Sequence, residues 1–316
     1  MSPKQTPLPQ LGGGLFLTDG GIETTLIFHE GLALPHFAAF DLLRSAQGTA
    51  TLYAYYERYA ALAGACGLGF VLESPTWRAS RDWGDKLGYG AAALATANRE
   101  AIALMERLRQ AFAGGGAMVV SGCVGPRGDG YQPGSGMGAE EAGDYHAAQI
   151  AAFAQAGADM VTAITMTNAE EAVGIARAAA AAGLPVAISF TVETDGRLPT
   201  GQSLAEAIEA VDAATGHGPC YYMINCAHPT HFEAVLTGDR GWVKRVRGLR
   251  ANASCLSHAE LNEAADLDAG DPADFARHYR ALLARQPQIN VLGGCCGTDH
   301  RHIGAISVAC GGRHAA

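Results

Sequence analysis

Short apolar runs recur along the chain, separated by longer alanine-rich stretches with helical spacing. Eight runs read as strands: 15–18 (LFLT), 69–73 (GFVLE), 117–122 (AMVVSG), 159–164 (DMVTAI), 185–190 (PVAISF), 221–225 (YYMIN), 246–250 (VRGLR) and 289–293 (INVLG). They are continuously apolar rather than alternating, the pattern of strands buried on both faces. The stretches between them predict helices over 47–66, 91–113, 140–156, 168–182, 203–215 and 272–285. Ser203 is a good N-cap for LAEAIEA, while Gly183 and Pro185 end one helix and open the next strand. Strand–helix alternation of this kind predicts the α/β class and a single (β/α)₈ TIM barrel. A doubly wound open sheet would carry a G-x-G-x-x-G turn after its first strand, and DGGIET lacks that spacing. The expected layout is a flexible N-terminal segment over 1–13, a barrel domain over 14–310 and a C-terminal tail over 311–316.

The 316-residue chain carries a formal charge of −9 and no basic run, which argues against nucleic acid and anionic membrane surfaces as partners. The start, MSPKQTPLPQ, has no apolar core of a secretory signal, and no uninterrupted apolar run reaches membrane-span length. A cytoplasmic setting is expected, with the eight cysteines serving as free thiols or metal ligands rather than disulfides.

Three of those cysteines stand directly after predicted strands. Cys226 follows the sixth, in MINCAHP, and Cys295 and Cys296 follow the eighth, in VLGGCCGTDH. In a barrel such positions lie at the C-terminal mouth, where active sites form. Strands six and eight are near neighbours around the ring, so three sulfurs can converge on one ion. Gly293, Gly294 and Gly297 flank the pair and are expected to give the backbone freedom to aim consecutive side chains at it. Three thiolates without a fourth protein ligand describe an open tetrahedral Zn²⁺ site. Such a centre is a poor electrophile toward water but suits binding of a substrate thiol, deprotonation of its sulfur and alkylation by an activated methyl group. Cys66, Cys220, Cys255 and Cys310 read as small buried hydrophobes. Cys123 also follows a strand, and a structural thiol is the expectation there. His228, His300 and His302 are close in sequence to the cysteines, with supporting or helix-face roles expected.

Other residues fall at the same mouth. Asp19 ends strand one, Glu23 lies in the following turn and Glu73 ends strand two; carboxylates there contact substrate or cap loops. Asn225 precedes the first cysteine and either orients a sulfur or substrate carboxylate or satisfies backbone groups inside the barrel. Trp77, Trp83 and Tyr89 cluster after strand two and Tyr131 after strand three. Trp77, Trp83 and Tyr131 make a possible donor site, an aromatic wall for a sulfonium or quaternary ammonium; loop packing is the alternative.

At these residues the sequence resembles the homocysteine S-methyltransferase family. The resemblance rests on DGGIETTL, on NC in MINCAHP and on GGCCGT. TWRAS, SGCVGPRGDGY and SFTV add to it, so that it runs from about Asp19 to Ile306. It implies a zinc-containing barrel that moves a methyl group from an onium- or folate-type donor to homocysteine, giving methionine. It further implies that Cys226, Cys295 and Cys296 are the zinc ligands, and that Asp19 with the Gly20–Gly21 backbone holds the amino acid. One stretch departs from the family, whose members often end strand four in Glu-Thr. Here AITMTNAEEA places Ile164 at the Glu position, followed by Thr165. Either Glu73 replaces the missing charge, or the acceptor is a thiol other than homocysteine. A non-catalytic zinc- or thiol-binding protein is the alternative from another class. Three sulfurs argue against a zinc hydrolase. No DxHxxG-type motif is present, so any corrinoid partner would be a separate chain. The expected partners are a small thiol acceptor and a methyl donor, and the sequence leaves the oligomeric state open.

Overall fold

In the computed structural model, which describes residues 7–131 and 136–311, the eight runs form one closed parallel barrel with neighbours in chain order. The strands are β1 Phe16–Leu17, β2 Gly69–Glu73, β3 Met118–Val124, β4 Met160–Met166, β5 Val186–Thr191, β6 Tyr221–Asn225, β7 Val246–Ala251 and β8 Val291–Gly294. Nearly every strand residue is buried, which is why the runs are apolar on both faces. Each strand is followed by a helix: α1 Ala46–Ala65, α2 Ala91–Ala111, α3 Ala139–Gln155, α4 Ala169–Ala181, α5 Leu204–Thr215, α6 Gly241–Arg245, α7 Pro272–Arg285 and α8 His300–Gly311.

The local signals act as expected. Ser203 and Glu206 form a reciprocal capping box at the start of α5, Asn168 caps α4 through the Glu171 amide, and Gly183 adopts a φ of 74° after α4. No long helix was predicted between strands six and seven, and among the described residues that connection holds only Pro229–Phe232 and the five-residue α6.

Strands β3 and β4 run past their predicted ends. Cys123 therefore lies within β3, paired with Thr162, and Thr165 lies within β4 rather than beyond it. The β4–β5 register shifts between Ala163 and Met166, where Thr165 takes a left-handed φ of 66°. A bulge of this kind re-aims side chains at a barrel rim.

The N-terminal end of the barrel is filled by Phe16, Val71, Val119, Met160, Tyr221 and Val291, with Leu8 packed onto them. Of the segment expected to be flexible, residues 1–6 lie outside the described residues, while Leu8 and Gln10 are buried. The Asn290 amide donates to the Gln10 and Gly14 carbonyls at 2.7 and 2.6 Å, tying this segment under the barrel. Of the expected tail, 312–316 lie outside the described residues. No helix among the described residues is long and apolar enough to cross a membrane.

Candidate active site

The opposite end of the barrel opens into a cavity, and the ends of the strands decide what lines it. Asp19 follows β1, Glu73 ends β2, Cys226 follows β6, and Cys295 and Cys296 follow β8. The three cysteine sulfurs lie within 4.8 Å of one another, the one group of His, Cys, Asp and Glu so placed among the described residues. Cys226 and Cys295 are in disulfide contact, and Cys296 is a free thiol. With the pair reduced, three thiols face one point.

The backbone holds them there at some cost. Cys226 adopts a φ of 52°, a left-handed conformation that costs a non-glycine residue roughly 1–2 kcal/mol. Its amide donates to the Arg250 carbonyl at 3.1 Å, and its own carbonyl accepts from His258 Nε2 at 2.6 Å. The Cys295 amide donates to the Ala251 carbonyl, and the Thr298 hydroxyl donates to the Cys295 carbonyl at 2.7 Å. The flanking glycines divide their work differently from the expectation. Only Gly297 takes a left-handed φ, of 78°. At Gly293 and Gly294 a Cβ would collide with Thr18 and Thr298, so these two are small because neighbours press on them.

The cluster is braced from two sides. Asn225, fully buried, accepts from the Thr165 amide and the Ser189 hydroxyl and donates to Thr165 Oγ1 at 2.8 Å. Thr165 Oγ1 in turn lies 4.0 Å from Cys226 Sγ. Asn225 does not line the cavity. Its amide is spent on Thr165 and Ser189 inside the barrel, and it bears on the Cys226 sulfur only through Thr165. On the other side, the Tyr131 hydroxyl is 3.4 Å from Cys296 Sγ, and its ring stacks on His258 at 4.0 Å. Burial pushes the Cys296 thiol up, and the Tyr131 hydrogen bond opposes that rise.

Beside the sulfurs is a buried ionic network whose centre no sequence signal was used to find. Arg250, on β7, pairs with Asp19 at 2.8 Å and with Glu73, and donates to the Gly294 and Gly20 carbonyls at 3.0 and 3.1 Å. Burial alone would depress Arg250, but Asp19 and Glu73 outweigh it and hold its pKa well above the ordinary value. Burial raises both Asp19 and Glu73, opposed by Arg250. Tyr55 donates a further hydrogen bond to Asp19 at 3.0 Å. Two carboxylates sharing one guanidinium leave a formal −1 at the cavity wall. Glu73 is therefore not a lone charge awaiting a substrate ammonium; its carboxyl is already engaged by Arg250. The usable signal was an arginine ending a run of otherwise buried strand residues, since a charge placed there needs partners.

The remaining residues sort clearly. Gly20, Gly21 and Glu23 line the cavity, with a Cβ on Gly21 excluded by the Cys295 carbonyl. Burial pushes the cavity-facing Glu23 carboxyl up to about 7, and nearby Asp19 adds to the rise. Trp77, Tyr131, Cys123 and Ile164 also line it. Trp83 and Tyr89 do not: the Arg78 guanidinium sits 3.7 Å and the Lys86 ammonium 3.8 Å from the Trp83 ring centre, and the Tyr89 ring tilts against Phe40 while its hydroxyl donates to Asp41. Trp83 thus already serves two cations of the chain itself. Among the histidines, His228 bonds to Thr230, and His302 to Asp299 and the Ala269 carbonyl; neither joins the sulfur cluster, nor does His300.

The homocysteine S-methyltransferase family model matches residues 16–310. The chain belongs to this family. It is accordingly an S-methyltransferase, as the thiol cluster and its cavity suggest. Two solved structures of the homocysteine methyltransferase MmuM from Escherichia coli share the architecture. The metallated form superposes with a TM-score of 0.73 at 19% identity, covering 94% of this chain and 96% of that one. The oxidized form gives 0.74 at 21%, covering 96% and 99%. At such identities the likeness shows the fold alone. No curated protein sequence matches the chain. The cavity of this family member combines Ile164 on β4 with the Asp19–Arg250–Glu73 network.

Proposed function

We propose that the chain transfers a methyl group from an onium-type donor to a small thiol held beside Cys226, Cys295 and Cys296, homocysteine giving methionine being the leading pair. The observation that carries this is the convergence of three cysteine sulfurs within 4.8 Å on the wall of one cavity. That donor set fits zinc: Zn–S bonds of about 2.3 Å put sulfurs on a tetrahedral face with edges of roughly 3.8 Å. Bound there, zinc supplies a Lewis acid that lowers a substrate thiol from its free pKa of ~8.5 toward neutrality.

The chain's own residues do the rest. The −1 network of Asp19, Arg250 and Glu73 attracts the ammonium of an amino-acid thiol and orients its sulfur toward the cysteines. Ile164, Trp77 and Tyr131 exclude water from the reacting atoms, which strengthens those charges by lowering the local dielectric. The acceptor thiol gives up its proton to solvent. Its sulfur lone pair then forms a bond to the donor methyl carbon, while the donor's methyl–heteroatom bond breaks and leaves its electron pair on the heteroatom. A reducing, cytoplasmic setting would keep the Cys226–Cys295 pair available as thiols.

Ile164 on β4, where the family resemblance places Glu, favours a second acceptor class: a small thiol with no ammonium at that point. One assay tests both. Zinc-loaded protein is given homocysteine or 3-mercaptopropionate with a panel of sulfonium and betaine donors, and products are read by mass. Methionine formation, one zinc per chain, and loss of both in the Cys226→Ser, Cys295→Ser, Cys296→Ser triple variant are expected. Thioether from 3-mercaptopropionate alone would move the acceptor to the second class. No thioether from any pair, or zinc held equally by the triple variant, would overturn the proposal.

A further inference from the structure

A second cation faces the same cavity, on the loop after β2. Arg78 is 4% exposed, and its guanidinium carbon sits 3.9 Å from the Trp77 ring centre and 3.7 Å from that of Trp83. Its Nη1 donates to the Gly128 carbonyl at 2.9 Å. The paired carboxylate, Asp129, is half-exposed and 3.7 Å from Nη2, beyond direct hydrogen-bond distance. The buried Nε–H has no hydrogen-bond partner among the described residues. Burial lowers the Arg78 pKa to about 10, opposed by Asp129, so the group remains a cation at neutral pH.

Arg250 is likewise buried but differs in its partners. Its guanidinium is consumed by two buried carboxylates and two backbone carbonyls. Arg78 is built into the wall by two indole rings, and the carboxylates that offset its burial are Asp129, at 3.7 Å, and the cavity-facing Glu23, a costly arrangement for a cation. A bare onium donor entering beside it meets like charge, and the Trp83 ring that could have attracted such a donor already carries Arg78 and Lys86. A donor that also carries a carboxylate reverses the sign of that encounter and matches the planar donor fork of a guanidinium.

We propose that Arg78 recognises a carboxylate on the methyl donor and so restricts donors to zwitterionic onium compounds. The assignment to the donor rests on the methyltransferase function proposed above. It follows from the division of the cavity: the sulfurs and the acidic network occupy the ends of β1, β2, β6, β7 and β8, whereas Arg78 packs against Gly128–Asp129 in the loop after β3.

The test compares two sulfonium probes, dimethylsulfoniopropionate with its carboxylate and trimethylsulfonium without one. Binding of each to the zinc-loaded wild type, Arg78→Met and Arg78→Lys is measured by calorimetry, and donor KM and kcat by turnover with homocysteine. Arg78→Met should weaken dimethylsulfoniopropionate binding by roughly ten- to a hundredfold, in Kd and donor KM alike, while trimethylsulfonium, relieved of a like charge, binds at least as tightly as to wild type. Arg78→Lys should restore part of the loss, because it returns the charge without the fork. Equal weakening of both probes, a rise confined to the acceptor KM, or a wild type that binds dimethylsulfoniopropionate no more tightly than trimethylsulfonium would each overturn the proposal. Arg78-dependent binding without turnover would instead leave the anion site standing and count against methyl transfer.

Discussion

Removing the Arg250 side chain while keeping its bulk, as in Arg250→Met, tests how the cavity wall is held together. The substitution leaves Asp19 and Glu73, 2% and 4% exposed, without the guanidinium they share, and it frees the Gly20 and Gly294 carbonyls. Stripping one partner from a buried ion network costs about 3–5 kcal/mol. An unfolding entropy of about 2.1 cal/mol/K per residue over 316 residues is roughly 0.66 kcal/mol/K, so the melting temperature should fall by roughly 5–8 °C. The sign with pH is fixed as well. Both carboxyls are raised by burial, and losing Arg250 raises them further. An acid with a raised folded-state pKa favours the fold below its unfolded value, near 4, and that contribution is lost as pH rises through the folded value. The deficit of Arg250→Met should therefore shrink toward pH 4. Thermal and denaturant unfolding of metal-free, reduced wild type, Arg250→Met, Glu73→Gln and the double variant would measure this. The double variant should be more stable than Arg250→Met, since it removes one stranded charge. A loss under about 1 kcal/mol, or strictly additive single effects, would refute the network's role.

Two further outcomes follow from the site. His258→Ala removes the hydrogen bond that clamps the Cys226 carbonyl and the ring under Tyr131; zinc affinity by chelator competition should drop by about ten- to a hundredfold with the fold intact, and unchanged affinity would count against the clamp. Glu23, raised to about 7 from an ordinary 4.5, adds stability that is fully present below about pH 4.5 and lost as pH rises through 7, so Glu23→Gln should gain stability over wild type at pH 8 but not at pH 4; parallel stability–pH curves for metal-free proteins would show the carboxyl is not perturbed.

The linear order of residues was enough to determine the barrel. Strands buried on both faces must be apolar throughout, and helices that cover them must carry a 3.6-residue period, so both signals are local and survive in the chain. The metal-type cluster was legible for the same reason. Cys226, Cys295 and Cys296 each follow a strand directly, and barrel topology converts that position into a place at the mouth. Charge partners are different, because pairing is set by distance in space. Glu73 and Arg250 stand 177 positions apart, and nothing near either one names the other. Hence Glu73 read as a substrate contact or a loop cap, and only the fold made it one arm of a shared ion network. Trp83 read either as part of a donor wall or as loop packing, and only the fold placed Arg78 and Lys86 over it. The glycines beside the cysteines show the same limit. Their position beside the cysteines marked all three as special, but whether a glycine is needed for its φ, as at Gly297, or for its missing Cβ, as at Gly293 and Gly294, depends on Thr18 arriving from the β1 end and on the loop after β8 folding Thr298 back.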